Sequence, residues 1–243
     1  MQYWALTDPG CVRAQNQDAY QIEKLDKNTL LCVVCDGMGG AKSGNVASSL
    51  AVEVFVQEVK RAYREDMDSD LVDQMLQSAV KLTNFTVYDQ ARQFEEFDGM
   101  GTTLVAALIQ GNIATIVNVG DSRAYTIGAA GIRQGTGVHS GGQMMVDRGE
   151  LTPERAKNYP GRNLITRAIG TESVVNCDVF HKKLNRGDWL LLCTDGLSNQ
   201  MDDQEILFEV VHGQDKQRCC QRLLEIAKGR GAPDNVTTVL VLA

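Results

Sequence analysis

The feature that most constrains the fold of this chain is a set of four apolar, strand-like runs that each carry an aspartate at one end. In antiparallel sheets the end of one strand lies beside the start of the next, so these carboxylates can meet at one rim. Carboxylates brought together repel one another, and a bound cation would remove that repulsion. Asp-Gly is also ordinary turn chemistry, and this alternative stays open for each aspartate taken singly. The four are Asp36 after residues 31–35, Asp121 after 116–120, Asp195 after 190–194, and Asp234 before 236–242.

The charge balance allows two interpretations of these acids. The 243 residues include 24 Lys and Arg against 31 Asp and Glu, a formal net charge of -7. This balance argues against a nucleic-acid partner, because such a protein needs a basic face for the phosphates. The excess acids either lie on the solvated surface or, in part, bind a cation. The candidate ligands are oxygen atoms, which favours Mg²⁺ or Mn²⁺ over zinc.

The histidines and cysteines do not indicate a zinc or redox site. The 3 His residues are scattered along the chain. Cys32 and Cys35 lie in a predicted strand, where an odd spacing points the two thiols to opposite faces, so we expect both to pack in the core. The 7 Cys are an odd number, and the chain starts without a basic region followed by an apolar run. These features predict reduced thiols, no signal peptide, no membrane span and a cytoplasmic location.

The order of the predicted elements indicates one α+β domain over residues 1–243. Hairpin-like spacing outnumbers βαβ spacing, which favours mainly antiparallel sheets. Two long helices in succession predict an antiparallel pair that covers one sheet face. The predicted strands are 3–7, 29–35, 102–109, 113–119, 124–127, 174–181, 188–194 and 236–242, and the predicted helices are 43–65, 70–94, 142–148, 152–158, 203–211 and 215–228.

Six short motifs, in order along the chain, resemble those of the metal-dependent Ser/Thr protein phosphatases, the PPM or type 2C family, in their bacterial form. The resemblance covers essentially the whole chain. It implies two antiparallel β-sheets packed as a sandwich and flanked by helix pairs, a four-layer αββα arrangement. The motifs are Thr7-Asp8-Pro9-Gly10-Cys11-Val12-Arg13 with Asn16-Gln17-Asp18, Asp36-Gly37-Met38-Gly39-Gly40, Gly99-Met100-Gly101-Thr102-Thr103, Val119-Gly120-Asp121-Ser122-Arg123, Cys193-Thr194-Asp195-Gly196-Leu197 and Asp234-Asn235-Val236-Thr237.

The resemblance also implies a binuclear Mg²⁺ or Mn²⁺ centre at one end of the sandwich. Asp36 would bridge the two ions, with the carbonyl of Gly37 on one of them. Asp195 and Asp234 would bind the other. Two such ions can activate a water molecule for in-line attack at phosphorus, so no Ser or Cys nucleophile is needed.

Three further residues receive roles from the same resemblance. Asp18 matches an acid that lies close to the metals and acts mostly through water. Asp121 matches an acid associated with a third, weaker ion. Arg13 matches the arginine that binds phosphate, and a guanidinium offers phosphate oxygens a planar fork of donors. The catalytic set is therefore expected to be Arg13, Asp36, Asp195 and Asp234.

The chain departs from the family pattern in two places. Met38 replaces a histidine that many eukaryotic members use as an acid, and a thioether cannot donate that proton. The second departure lies in the Gly-rich flap expected around residues 128–160. Bacterial relatives have Thr-x-Asp-His-Ser there, whereas this chain places Val138 before His139 and Ser140. Because glycine loses most freedom on ordering, we expect residues 128–142 to be unusually mobile, with altered substrate contacts.

The function implied by the resemblance is metal-dependent hydrolysis of phosphoserine and phosphothreonine in proteins. The implied partners are phosphorylated proteins and a cognate Ser/Thr kinase, and the chain is expected to be a monomer. Two alternatives stay open. One is a catalytically weak or inactive module of the same fold that binds phosphoproteins or a kinase, since fold alone does not fix function. The other is a phosphatase of small molecules.

Overall fold

The secondary structure consists of antiparallel strands interrupted by two groups of helices. The computed structural model describes residues 1–156, 158–213 and 215–243, with only the backbone of residues 40–42. The strands are β1 (Gln2–Asp8), β2 (Asp18–Lys24), β3 (Thr29–Met38), β4 (Gly101–Thr102), β5 (Leu104–Gln110), β6 (Ile113–Val119), β7 (Arg123–Gly128), β8 (Gly131–Gln134), β9 (Asp178–Lys183), β10 (Trp189–Cys193) and β11 (Val236–Leu242). The helices are α1 (Gly40–Ala62), α2 (Ser69–Gln93), α3 (Gly141–Asp147), α4 (Pro153–Ala156), α5 (Asp195–Ser198), α6 (Asp203–His212) and α7 (Cys219–Gly229), with 3-10 turns at Glu95–Phe97 and Lys216–Arg218.

Two antiparallel sheets pack face to face. One has the strand order β1-β11-β10-β7-β8, and the other has the order β2-β3-β5-β6-β9, with β4 beside β3. Buried residues of both sheets, such as Val34 and Leu192, share one apolar core between them. A second core joins the β3 sheet to α1 and α2. A third joins the β10 sheet to α6 and α7. The predicted four-layer αββα sandwich is therefore confirmed.

The thiols of Cys32 and Cys35 follow the expectation for an odd spacing in a strand. Cys32 packs in the core between the sheets, and Cys35 packs in the core beneath α1 and α2. Both are fully buried, and all seven cysteines are free thiols. Burial raises the pKa of Cys32 to about 12, so this thiol stays protonated and acts as a small apolar side chain.

Three parts of the sequence interpretation change. β2 was not predicted, and it is a half-exposed edge strand with polar residues on one face. β8 lies where no regular structure was expected and pairs with β7. The strand predicted at 174–181 instead spans Asp178–Lys183, preceded by irregular chain. The helix predicted at 152–158 is α4, and its predicted part at residue 157 lies outside the described residues.

The described helices include none that could cross a membrane. The two longest, α1 and α2, have 23 and 25 residues, but each buries one face against a sheet and carries charged residues on the other.

Candidate metal centre

A cleft of about 650 Å³ opens at the rim where the strand ends meet. The structure brings all four strand-end aspartates, Asp36, Asp121, Asp195 and Asp234, into its lining. Gly37 lies inside β3, so Asp36-Gly37 is not a turn, and the turn interpretation is wrong for this pair. The lining also includes Arg13, Ala14, Gln15, Gln17, Gly37, Met38, Gly39, Asn163 and Ile165.

Close backbone approaches hold the aspartates together. A Cβ on Gly196 would lie 1.9 Å from the carbonyl oxygen of Asn235, so only glycine allows the start of α5 to touch the segment before β11. This contact places Asp195 next to Asp234. A Cβ on Gly37 would lie 2.0 Å from the carbonyl oxygen of Gly44, which requires glycine there too. The glycine of each Asp-Gly pair thus allows the backbone segments at the rim to pack closely.

Asp18 lies directly behind the cleft rather than in its lining. It is opposite Asp36 in the register of β2 and β3, an arrangement of like charges that destabilises a sheet. The hydroxyls of Thr237 and Thr194 donate to Oδ2 of Asp18 at 2.6 and 3.0 Å. Its Oδ1 is buried and has no hydrogen-bond partner among the described residues. Burial above all, together with the carboxylates of Asp195 and Asp234, raises the pKa of Asp18 to about 7, although the two threonine hydrogen bonds lower it.

The other carboxylates of the rim share this electrostatic strain. Burial raises the pKa of Asp36 well above its usual value, and the neighbouring aspartates add to the effect. Burial also raises the pKa of Asp121 to about 7, and the pKa of Asp195 rises for the same reason. Arg123 lowers the pKa of both Asp121 and Asp195 by its positive charge, but less than burial raises it. The protein alone therefore does not compensate the charged form of this cluster.

The residues of the rim fit a hard divalent ion. The donors are carboxylate and carbonyl oxygens, the ligands that Mg²⁺ and Mn²⁺ prefer. The buried Oδ1 atoms of Asp18 and Asp121 lack hydrogen-bond partners in the part of the chain that the structure describes. Across the described residues, however, no group of three or more His, Cys, Asp or Glu side chains is arranged to hold a metal ion by itself. An ion here would have to share carboxylates and complete its shell with a backbone carbonyl and water, as Mg²⁺ commonly does.

Arg13 extends over the mouth of the cleft. Its Nη2 donates to Oδ2 of Asp234 at 2.8 Å. The Arg13 side chain is 53% exposed, so its remaining donors face solvent and can reach an anion. Asn235, the residue after Asp234, holds the loop that carries Arg13 in place. Its side-chain amide donates to the carbonyls of Pro9 and Gln15 in that loop.

The predicted flap residues lie outside the lining of the cleft. His139 Nδ1 accepts a hydrogen bond from the amide of Gly120 at 3.0 Å, and its Nε2 lies 3.1 Å from Asp178. Burial lowers the pKa of His139, which favours the neutral ring that this arrangement needs. Ser140 caps α3, its Oγ accepting from the amide of Gln143. Val138 is half-buried. These residues support the turn that carries Asp121 and do not face the cleft.

Sequence reasoning missed several residues that shape the site. Thr194 and Thr237 anchor Asp18, and a signal was present, because each is a hydroxyl residue at the end of an otherwise apolar strand. Asn163 and Ile165 also line the cleft. No local pattern identifies them, because they come from an irregular segment whose position depends on the tertiary fold.

Comparisons with known proteins agree with this geometry. A family model described as Protein phosphatase 2C matches residues 12–226. The Serine/threonine protein phosphatase PstP of Mycobacterium tuberculosis is 36% identical over 242 residues, which are 99% of this chain and 44% of that relative. The Serine/threonine phosphatase stp of Listeria innocua is 34% identical over 97% of this chain and 93% of its own length. The chain thus spans less than half of the mycobacterial relative and nearly all of the Listeria one.

Solved structures give the same result. The crystal structure of Serine/threonine phosphatase Stp1 from Staphylococcus aureus superposes with a TM-score of 0.93 at 37% identity, covering 100% of this chain and 94% of that one. The crystal structure of the Mycobacterium tuberculosis phosphatase PstP/Ppp superposes with a TM-score of 0.85 at 35% identity, covering 98% and 97%.

Proposed function

This chain belongs to the protein phosphatase 2C family, and we propose that it is a metal-dependent phosphatase of phosphoserine and phosphothreonine in proteins. On this proposal its partners are phosphorylated proteins and the kinase that phosphorylates them. The observation that carries the proposal is the rim of uncompensated carboxylates beside an exposed arginine: it combines a place for cations with a donor for phosphate oxygens.

We assign the metal-binding roles to residues that the fold brings to this rim. Asp36, the Gly37 carbonyl, Asp195 and Asp234 would hold two Mn²⁺ or Mg²⁺ ions, and Asp121 would serve a third, weaker one. When bound, such ions supply an activated water and offset the charge that develops at phosphorus. Asp18 would act from behind the cleft, because both threonine hydroxyls bind its Oδ2 and leave its Oδ1 available.

Arg13 would bind the phosphate of the substrate. In the structure it pairs with Asp234, and a cation near Asp234 would compete with the guanidinium for that carboxylate. The released guanidinium can then form two parallel hydrogen bonds to phosphate oxygens. Met38 lines the cleft, but its thioether cannot donate a proton, so the proposal gives it no acid role.

The test is phosphate release from a phosphothreonine peptide in Mn²⁺ and in EDTA. We expect turnover in Mn²⁺ only. Asp195→Asn should reduce it about 100-fold or more, because a rim carboxylate is lost. Arg13→Lys should reduce kcat/KM about tenfold and Arg13→Ala further, since lysine keeps the charge but not the planar fork. Asp66→Asn, at an exposed position, is the control and should leave turnover unchanged.

Two results would contradict the proposal. Equal phosphate release by wild type and Asp195→Asn, with or without Mn²⁺, would show that the rim does not carry the reaction. Tight Mn²⁺ binding without any turnover would instead support the non-catalytic module.

A further inference from the structure

The most exposed large apolar side chains lie around the candidate cleft. Among the described residues, Val12 and Val174 are each 70% exposed and Leu164 is 69% exposed. The next most exposed large apolar side chains, Phe208 and Phe85, reach 61% and 60% on helices α6 and α2. Single exposed apolar residues are ordinary on protein surfaces, so exposure alone decides nothing. Their shared position is the informative observation.

Val12 and Leu164 border the cleft through their chain neighbours, and Val174 borders it through an adjoining cavity. Val12 directly precedes Arg13, and Leu164 stands between Asn163 and Ile165, which also line the cleft. Val174 lines a second cavity of about 340 Å³. Met38 and Ile165 line both cavities, so the second one continues the first past these two side chains. The three residues, here called the apolar rim, therefore come from three separate segments that meet at one cleft.

The chemistry of a phosphoprotein explains why apolar residues would gather there. The phosphate of such a substrate is attached to a polypeptide, so placing it beside Arg13 brings the flanking residues over the rim. Burying apolar surface on both sides gives a favourable contact that grows with the area covered. A small phosphorylated molecule can reach Arg13 without reaching Val174. Exposed apolar side chains gathered around one cleft are a feature of binding sites.

We propose that the apolar rim of Val12, Leu164 and Val174 binds the polypeptide on either side of the phosphorylated residue, and that it selects substrates with apolar residues next to the phosphoserine or phosphothreonine. This inference rests on the proposed function and names its substrate class. The second cavity, which contains Arg167 and Glu172 besides Val174, receives the chain leaving the cleft past Met38.

The test compares three substrates in Mn²⁺. Two are phosphothreonine peptides of equal length and charge, one with Leu and Val beside the phosphothreonine and one with Ser and Gly there. The third is p-nitrophenyl phosphate, which has no flanking chain. We expect wild-type kcat/KM to be at least fivefold higher for the apolar peptide than for the polar one. The double variant Leu164→Ser with Val174→Ser should lose that preference, mainly through a higher KM.

The matched control is Phe208→Ser with Val211→Ser, which removes two exposed apolar side chains from α6, away from both cavities. It should keep the wild-type ratio of the two peptides. Hydrolysis of both peptides at equal kcat/KM by wild type would overturn the inference and leave the proposed function standing. Hydrolysis of p-nitrophenyl phosphate alone would overturn the protein substrate class as well. No hydrolysis of any of the three would overturn the proposed function itself.

Discussion

Asp18 is a buried carboxylate that the surrounding hydrogen bonds satisfy only in part. Both threonine hydroxyls donate to its Oδ2, and no described residue supplies a hydrogen-bond partner for Oδ1. Burying a charge without full compensation is costly, and the raised pKa near 7 expresses that cost. Asp18 destabilises the metal-free protein and lies behind Asp36. Its presence is therefore better explained by a role in cation binding than by a contribution to folding.

Replacing Asp18 with asparagine should therefore stabilise the metal-free protein. The amide oxygen can accept both threonine hydroxyls, and the buried charge is gone. Because the folded pKa is raised from 3.8 to about 7, wild type loses stability as pH rises from about 4 and the loss is complete above about 7. We expect Asp18→Asn to gain about 4 kcal/mol relative to wild type between pH 4 and pH 8 in EDTA, by urea unfolding. The exposed control Asp66→Asn should show no such trend, and a difference independent of pH would contradict the prediction.

His139, in the segment expected to form the flap, is a second polar side chain whose partners lie within the protein. Its side chain is 10% exposed and links the amide of Gly120 to Asp178. His139→Ala leaves the Gly120 amide without its partner, whereas Asp178 keeps its ion pair with Arg167. We expect a loss of about 1–3 kcal/mol in the free energy of unfolding. His181 forms a similar pair with Asp73, but its side chain is 45% exposed, so His181→Ala should cost less than about 1 kcal/mol. Equal losses in the two variants would show that His139 has no special linking role.

At the scale of elements, tight glycine contacts determine where the strand ends meet. Gly196→Ala would force a Cβ against the Asn235 carbonyl, and the start of α5 cannot move without displacing Asp195. We expect a loss of about 2 kcal/mol or more, measured by thermal unfolding, and reduced Mn²⁺ affinity. Gly229→Ala is the matched control: Gly229 is helical and has open space where its Cβ would lie, so it should gain about 0.4–1 kcal/mol. A Gly196→Ala protein as stable as wild type would show that the contact is loose.

The Gly-rich segment gives a second prediction at this scale. We expected residues 128–142 to be mobile, but the structure pairs β8 with β7 and ties the following residues to the same sheets. The amide of Gly135 donates to Ala124 at 2.7 Å, and the amide of His139 donates to Gly120 at 2.9 Å. We therefore expect these two amides to exchange slowly, as measured by NMR hydrogen exchange. Exchange at the rate of an unstructured peptide would restore the mobile-flap hypothesis.

The elements that sequence reasoning predicted and those it missed differ in burial. β3, β6, β10 and β11 are buried along nearly their whole length, so their apolar runs stand out. β2 and β8 are edge strands with half-exposed residues, and their partners, which the local sequence does not specify, stabilise them. The convergence of four aspartates followed from antiparallel order alone. The position of Asp18 behind Asp36 did not follow from antiparallel order, because it depends on the register of β2, a strand that was not predicted.

For the whole molecule, the distribution of charge matters more than the total of -7. The exposed acids of the described surface include several in ion pairs, such as Glu205 with Arg230 and Glu58 with Arg61. At the cleft the acids instead face one another, with Arg13 and Arg123 as the cations that act on them. The sandwich thus gathers carboxylates at one end, and we expect them to destabilise the metal-free protein.

Divalent ions should accordingly stabilise the whole fold. Ligands that bind only the folded state stabilise it by RT ln(1 + [L]/Kd), about 2.7 kcal/mol at 100 times Kd. For a chain of 243 residues this corresponds to a rise in Tm of about 5–10 °C. Calorimetry in EDTA and in saturating Mn²⁺ measures it, and Asp66→Asn should respond like wild type. Asp195→Asn should show less than half the rise at the same Mn²⁺ concentration, because it removes a proposed ligand and part of the repulsion that binding would relieve. An equal rise in Asp195→Asn would place the stabilising ions elsewhere on the molecule.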